Sequence, residues 1–183
     1  MSKVVAAALL VLLSAIVAFW ILRFIPKYPS VELQYLSFRE LEEICLEANQ
    51  FKQLKLPREA YVEVVPATLK IGGVELKVTR VKLMWLVKFG NYTQVYNGSP
   101  WTIWCNGTHG GILSWIVIRD TGSLLEIKYF TSNATKTIFL SYSEIGVVKE
   151  FVLRNATVFF NGIEVYRFEG WRRIVIKAVE VKS

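Results

Sequence analysis

Asparagines in glycosylation acceptor sequences are the residues of this chain with the clearest chemical potential. An N-linked glycan attaches to the side-chain amide of the asparagine in Asn-x-Ser/Thr. The chain has seven asparagines, and 21 serines and threonines, among 183 residues, so fewer than one acceptor is expected by chance. Five are present, at Asn91, Asn97, Asn106, Asn133 and Asn155. This excess predicts glycosylation at these positions, and therefore a domain that lies outside the cytoplasm.

The two cysteines, Cys45 and Cys105, are the second group with reactive side chains. Outside the cytoplasm a disulfide between them would persist, and it would close a loop of about 60 residues, worth roughly 4 kcal/mol in the chain-entropy model. Cys45 flanks the apolar face of a predicted helix, and Cys105 ends an aromatic strand. We therefore predict a disulfide that ties the helix to the β-domain, with two buried free thiols as the alternative.

Catalytic and metal-binding patterns are not evident in the sequence. The single histidine, His109, and the single aspartate, Asp120, cannot form a typical zinc site with two cysteines. Asp120 begins an Asp-Thr-Gly sequence, but the aspartic-protease chemistry associated with that sequence requires a second aspartate. Glu40, Glu43 and Glu47 follow one side of a predicted helix and are interpreted as a solvated face. We predict no catalytic residue, no metal site and no cofactor.

A long apolar segment near the N-terminus, Val4–Ile25, organises the rest of the chain. From Val4 to Leu22 only Ser14 is not apolar, and those 19 residues would span about 28 Å as a helix, close to the thickness of a hydrocarbon core. We predict a transmembrane anchor over residues 1–25, rather than a cleaved signal peptide or a buried core helix. Side chains typical of a membrane interface come at its far end: Trp20, Arg23, Lys27 and Tyr28.

The position of the glycosylation acceptors sets the predicted orientation. All five follow the apolar segment, so we expect the N-terminus in the cytoplasm and the remainder of a single-pass membrane protein outside it. The lipid bilayer is then one predicted partner. The net charge is +7, but no cluster of lysines and arginines is denser than Arg172-Arg173, which argues against a nucleic-acid partner.

The composition is typical of a thermophile protein: aspartate is rare, and lysine, glutamate, valine and isoleucine are abundant.

Residues 26–57 are predicted to form a linker and an amphipathic helix. Ser37-x-x-Glu40 is a capping-box sequence, which marks a helix N-terminus. Apolar residues then recur at helical spacing from Phe38 to Leu54, and Pro57 is interpreted as the end of the run. The pattern predicts a helix of about 18 residues that packs one face against the domain.

Residues 58–183 show the two-residue period of β-strands, with Asn-Gly and Gly-Gly turn signals between them. Ten or more short strands predict an all-β antiparallel sandwich, Ig-like or jelly-roll-like. In the strand that begins at Val74 the apolar positions change from even to odd, which predicts a bulge near Thr79-Arg80. Trp101 and Trp104 should lie on opposite faces of one strand, and Trp85 should lie in the core.

The plan of a hydrophobic N-terminal segment, Val4–Ile25, followed by a β-domain resembles two kinds of archaeal surface protein. One is the type IV pilin, and the other is the archaellum stator component, a single-span anchor with an external β-sandwich. The resemblance covers architecture only. It implies a protein of the cell surface whose partner is either a surface layer or copies of the same chain.

From these observations we expect a non-enzymatic, membrane-anchored, surface-exposed β-sandwich protein with a structural or binding role in the cell envelope. One alternative is a pilin-like subunit of an extracellular filament, with Val4–Ile25 in the filament core. A further alternative is an envelope glycan-binding module or a hydrolase that works through glutamates, for which the many aromatic residues and glutamates leave room.

Overall fold

The computed structural model describes residues 35–50, 52–87, 92–94 and 100–182. Among these residues no helix is long and apolar enough to cross a membrane. The predicted anchor, residues 1–25, lies outside the described residues, and so do the predicted interface residues Trp20, Arg23, Lys27 and Tyr28.

In the described part of the chain, helix α1 (Phe38–Ala48) packs against the β-strands. The predicted capping box is confirmed, because the Ser37 hydroxyl accepts the N–H of Glu40 and the Glu40 carboxylate accepts the N–H of Ser37. The hydrogen bonds that the N–H and the hydroxyl of Ser37 donate to the Glu40 carboxylate lower its pKa. The predicted length is wrong: the helix ends at Ala48, and Pro57 lies in a strand. That strand tolerates proline because its pairing is interrupted between Lys55 and Ala60.

The described part of the chain is mainly β-strand, so the all-β expectation is confirmed. The strands belong to one open, curled sheet in the order β3-β4-β5-β2-β1-β8-β9-β7-β6. Their bounds are β1 Leu54–Ile71, β2 Val74–Leu86, β3 Tyr92–Gln94, β4 Trp101–Asn106, β5 His109–Ser114, β6 Val117–Asp120, β7 Leu124–Thr131, β8 Lys136–Phe160 and β9 Ile163–Lys182.

The predicted hairpin turns are confirmed at Gly72-Gly73, Asn106-Gly107 and Asn161-Gly162. Asn161 and Gly162 both have positive φ, of 49° and 79°, as a two-residue hairpin requires. Two strands are much longer than predicted, since β8 has 25 residues and β9 has 20. The sheet is also not wholly antiparallel, because β7 and β9 pair in parallel.

The described residues form two hydrophobic cores, whose members on β1 and β2 have opposite parity and therefore lie on opposite faces of the sheet. The first core contains the apolar face of α1 together with residues of seven strands, among them Ala60, Leu83, Trp101, Phe130 and Val181. The second core contains Leu69, Val78, Ile127, Phe160 and Ile176, among others. Trp85 is buried in the first core, as predicted, and Trp101 is fully buried there. Trp104 is half-buried, with the Nζ atom of Lys82 4.0 Å from its ring centroid.

The predicted bulge near Thr79-Arg80 is wrong. β2 pairs with β1 in continuous register from Val74 to Met84. The apolar positions change parity because Val78 faces the second core, whereas Val81 faces the first. Successive side chains of a regular strand point to opposite faces, so a strand that serves two cores on opposite faces needs no bulge.

Arg80 lies where β2 passes from one core to the other. Its guanidinium is 4.7 Å from the ring centroid of Trp115 and 5.7 Å from that of Phe160. Its Nε donates a hydrogen bond of 2.8 Å to the carbonyl of Ser114. Burial lowers the pKa of Arg80 to about 10, so the side chain stays charged at neutral pH. The aromatic faces and the carbonyl stabilise this charge in place of a carboxylate.

Replacing Arg80 should therefore destabilise the junction of the cores. Arg80→Lys keeps the charge but loses both the Nε donor and the planar contact with Trp115. We expect it to lower the free energy of unfolding by about 1–2 kcal/mol, measured by chemical denaturation. The matched control is Arg119→Lys on β6, because Arg119 is exposed and forms no ion pair among the described residues. Equal stabilities of the two variants would contradict the role of Arg80.

Candidate functional site

The predicted glycosylation sites fall into two groups. Asn106, Asn133 and Asn155 are exposed, which is compatible with glycan attachment. Asn91 and Asn97 lie outside the described residues. Glycosylation itself stays a prediction.

The two cysteines are not joined in the structure: both are buried free thiols of the first core. The thiol of Cys45 donates to the carbonyl of Trp101 at the start of β4, over a distance of 3.4 Å. Cys105 lies four residues further along β4, about 13 Å at the usual rise of a strand, and packs against Gly110. The predicted disulfide is therefore not present in the structure, and the alternative of two buried free thiols is what it shows.

His109 and Asp120 have structural surroundings. His109 is exposed at the start of β5. Asp120 accepts hydrogen bonds from the N–H of Gly122, the hydroxyl of Tyr166 and the guanidinium of Arg172. Burial alone would raise the pKa of Asp120, but these hydrogen bonds outweigh it and lower the pKa. Asp120 therefore fixes the β6–β7 turn to β9. No group of three or more potential metal ligands occurs among the described residues.

The most unusual surface of the described structure is one side of the central part of β8, residues 144–154, named the β8 edge. β1 pairs with β8 only at residues 136–140 and 158–160. Between these places β8 pairs with β9 on its other side, and no described strand covers the β8 edge. Every residue from 144 to 150 is exposed. Four apolar side chains of this segment are each more than half exposed: Ile145, Val147, Val148 and Val152.

Two bulges shape the β8 edge. The register between β8 and β9 shifts between Glu144 and Gly146 and again between Val147 and Lys149. The extra residues are Ile145 and Val148, which have no register partner on β9. Bulges bend a strand and re-aim its side chains, and here the unpaired residues are apolar and exposed.

A network of ion pairs fixes the β8 edge to the sheet. Lys128 of β7 contacts Glu126 and Glu144. Lys177 of β9 contacts the same two carboxylates, at 2.8 Å and 3.5 Å. A hydrogen bond from Lys177 lowers the pKa of Glu126, and one from Lys128 lowers the pKa of Glu144. Except for Glu144, these side chains are less than one quarter exposed, so solvent screens the network only in part.

A concave surface, named the Asn155 cleft, is the second candidate site. It lies where the β1–β2 turn meets the bulge of β8 at Asn155. It has a volume of about 500 Å³. A hollow of about 270 Å³ adjoins it and shares Lys70 and Phe159 with it. The cleft is lined by Lys70, Gly72, Gly73, Asn155, Ala156, Thr157, Phe159, Arg167, Phe168 and Glu169. Polar donors and acceptors therefore surround one partly exposed aromatic ring, that of Phe159.

No protein-family model, no curated protein and no solved structure matches the chain. The β8 edge and the Asn155 cleft are thus the two candidate sites that geometry alone supplies. Neither was found from the sequence. The β8 edge exists because part of β8 has no partner strand on one side, which a local sequence pattern does not reveal. The Asn155 cleft brings together Lys70 and Asn155, which are about 85 positions apart in the sequence.

The ion-pair network should make stability depend on pH. The pKa values of Glu126 and Glu144 in the folded chain are lowered, so their stabilising contribution is complete above the ordinary glutamate pKa of about 4.5 and is lost as the pH falls below it. Glu126→Gln should lower the melting temperature by about 2–4 °C at pH 7, and the difference should be smaller at pH 3. The control is Glu75→Gln, because Glu75 is exposed and unpaired among the described residues. An equal deficit at both pH values would contradict the ionic origin.

The state of the cysteines gives a second test. Burial raises the pKa of Cys45 to about 12 and also raises the pKa of Cys105, so neither thiol is ionised at neutral pH. We expect both to resist alkylation in the native chain and both to react after denaturation without a reductant. Mass spectrometry of the peptides reads out both states. Thiols that become reactive only after reduction would show that the disulfide forms instead.

Proposed function

We propose that this chain is a non-enzymatic, membrane-tethered protein of the cell surface whose β-domain associates with a second copy of itself through the β8 edge. The tether is the apolar segment Val4–Ile25, and the location outside the cytoplasm is supported by the five glycosylation acceptors. The single observation that carries the association is the exposed, unpaired and apolar β8 edge.

An unpaired strand edge attracts other strands. Its backbone N–H and C=O groups are ready to bond with another extended chain, and natural proteins usually protect such edges with charges, proline or a covering element. On the β8 edge four apolar side chains are exposed beside the charged ones: Ile145, Val147, Val148 and Val152. Apolar side chains that remain in water on an open edge are the arrangement expected of a strand-addition interface.

The identity of the partner follows from the sequence of the edge. In a two-fold antiparallel pairing centred between Gly146 and Val147, Glu144 of each copy lies opposite Lys149 of the other. Lys149 is exposed and forms no ion pair among the described residues. In the same register the bulge residues Ile145 and Val148 lie opposite each other. A two-fold interface requires this kind of self-complementarity, in charge and in shape.

For the fold, we infer that the curled sheet closes on itself as a two-layer sandwich, as in Ig-like and jelly-roll domains. The hydroxyl of Thr79 on β2 donates to the carbonyl of Phe130 on β7, at 2.8 Å. These strands are four places apart in the order of the sheet, so this contact joins two distant parts of it. Both cores contain residues of β1 and β2 together with residues of β7 and β9, which supports a two-layer arrangement.

The pilin-like filament is the second candidate function, and self-association through the β8 edge also favours it. The two proposals differ in the surroundings of Val4–Ile25, which is in lipid in one and in a bundle of copies in the other. Membrane fractionation, with electron microscopy of material sheared from the cell surface, separates them. Recovery of the chain in filaments would support the second candidate and contradict the anchor.

Mutation of the β8 edge tests the proposed self-association. In the full-length chain in detergent, Val148→Lys should shift the protein from dimer to monomer, because it places a charge in the centre of the apolar contact. Lys149→Glu should weaken the dimer as well, because it sets two carboxylates opposite each other. Light scattering coupled to size-exclusion chromatography measures the mass.

The matched control is Ile163→Lys. Ile163 is exposed to a similar extent as Val148, but it lies at the turn between β8 and β9. It should remain dimeric. A dimer that survives both edge substitutions would contradict the β8 edge as the interface, and a monomeric wild-type chain would contradict self-association.

A further inference from the structure

The Asn155 cleft contains a glycosylation acceptor within its own wall. The acceptor sequence is Asn155-Ala156-Thr157, and all three residues line the cleft. The other two described acceptors, at Asn106 and Asn133, are exposed but line neither of the two hollows. This coincidence of an acceptor with the larger hollow distinguishes Asn155.

The structure holds the side chain of Asn155 in one orientation. Asn155 has a positive φ of 48°, at the place where the register between β8 and β9 shifts between Arg154 and Ala156. Its Oδ1 accepts a hydrogen bond of 2.6 Å from the N–H of Gly170. The carbonyl half of the amide is thus fixed against β9. No hydrogen bond is made by Nδ2, the atom that carries a glycan, to the described residues.

The far end of the cleft is suited to sugars. Thr157 and Phe159 follow Asn155 on β8, so the wall extends about 13 Å from Asn155 to Phe159. Phe159 lies beside Lys70 of β1 in the sheet register, and Thr157 lies beside Arg167 of β9. The ring of Phe159, which can pack against the apolar face of a sugar, is therefore close to Lys70 and Arg167, whose side chains can donate hydrogen bonds to sugar hydroxyls.

The charges in the cleft are close to balanced, which also favours a sugar over an ionic ligand. Arg167 is paired with Glu164 through two hydrogen bonds, of 3.2 Å and 3.1 Å. Lys70 contributes one positive charge and Glu169 one negative charge. A neutral, hydroxyl-rich ligand can use both donors and acceptors of such a surface without burying an unpaired charge.

We propose that the Asn155 cleft binds the glycan carried by Asn155, and that this glycan lies along β8 over Thr157 and Phe159. The inference rests on the part of the proposed function that places the domain outside the cytoplasm, but not on the β8 edge. An attached glycan needs no separate binding equilibrium, because its effective concentration at the cleft is set by the covalent bond. The glycan then stabilises the junction between the β1–β2 turn and the β8–β9 hairpin.

The experiment uses the full chain purified from its native membranes, with glycopeptide mass spectrometry to report occupancy at Asn106, Asn133 and Asn155. Removal of the acceptor by Thr157→Val, which preserves the side chain of Asn155, should lower the melting temperature by about 2–4 °C. The matched control is Thr108→Val, which removes the glycan of Asn106 in the same way. It should leave the melting temperature within 1 °C, roughly the effect of an ordinary surface substitution.

A double-mutant comparison separates the glycan from ordinary packing. The decrease in melting temperature caused by Phe159→Ala should be larger in the glycosylated chain than in the Thr157→Val variant, because only the glycosylated chain has a sugar on the Phe159 ring. A glycosidase should also trim the glycan of Asn155 more slowly than that of Asn106 in the folded chain, and at the same rate after denaturation.

The outcomes are distinguishable. Modified Asn106 or Asn133 with a bare Asn155 would overturn the cleft proposal and leave the location outside the cytoplasm intact. Three bare asparagines would overturn both. A modified Asn155 with equal effects of Thr157→Val and Thr108→Val, and with no coupling to Phe159, would show a glycan that extends into solvent and would overturn the proposal.

Discussion

The rest of this structure depends on the two-residue period of side chains along a strand. A long strand can cover two cores, but with regular geometry it must use opposite faces for them. β1 does this with Ala60 in the first core and Leu69 in the second, and β2 with Leu83 and Val78. Along the stretches where only one face covers a core, the other face is open. Lys70 and Phe159 lie on such an open face, beside Leu69 and Phe160 of the second core.

The same constraint accounts for the position of the β8 edge. Near residues 174–179, where β9 passes from the second core to the first, β9 is buried on both faces. Its neighbour β8 is at the outside of this crossing, and residues 144–150 are exposed. β8 reaches β1 only at its two ends, so the middle of β8 pairs with β9 on one side and with no described strand on the other. Both candidate sites are therefore consequences of a sheet that serves two cores.

Local features of this fold could be predicted from the sequence, and nonlocal ones could not. The capping box at Ser37 and the turns at Gly72-Gly73 and Asn161-Gly162 depend on a few adjacent residues, and the structure confirms them. The parity change after Val78 predicts a bulge only if the strand faces a single core. The second core that Val78 joins is formed with residues of β7 and β9, which are far away in the sequence, so a local pattern cannot reveal it. Likewise, Cys45 and Cys105 do lie in one core, but the point at which Cys45 meets β4 depends on how α1 packs on the sheet.

The β8 edge is both apolar and bulged, and the bulges limit which strands can pair with it. A flat apolar strand would pair with any extended chain, which leads to aggregation. The shifts at Ile145 and Val148 interrupt the regular ladder, so a partner must carry matching irregularities to bond along the edge. The contacts of Glu144 with Lys128 and Lys177 hold these irregularities on the sheet. The bulges therefore exclude most strands, and an edge with the same two bulges in reverse order meets the requirement.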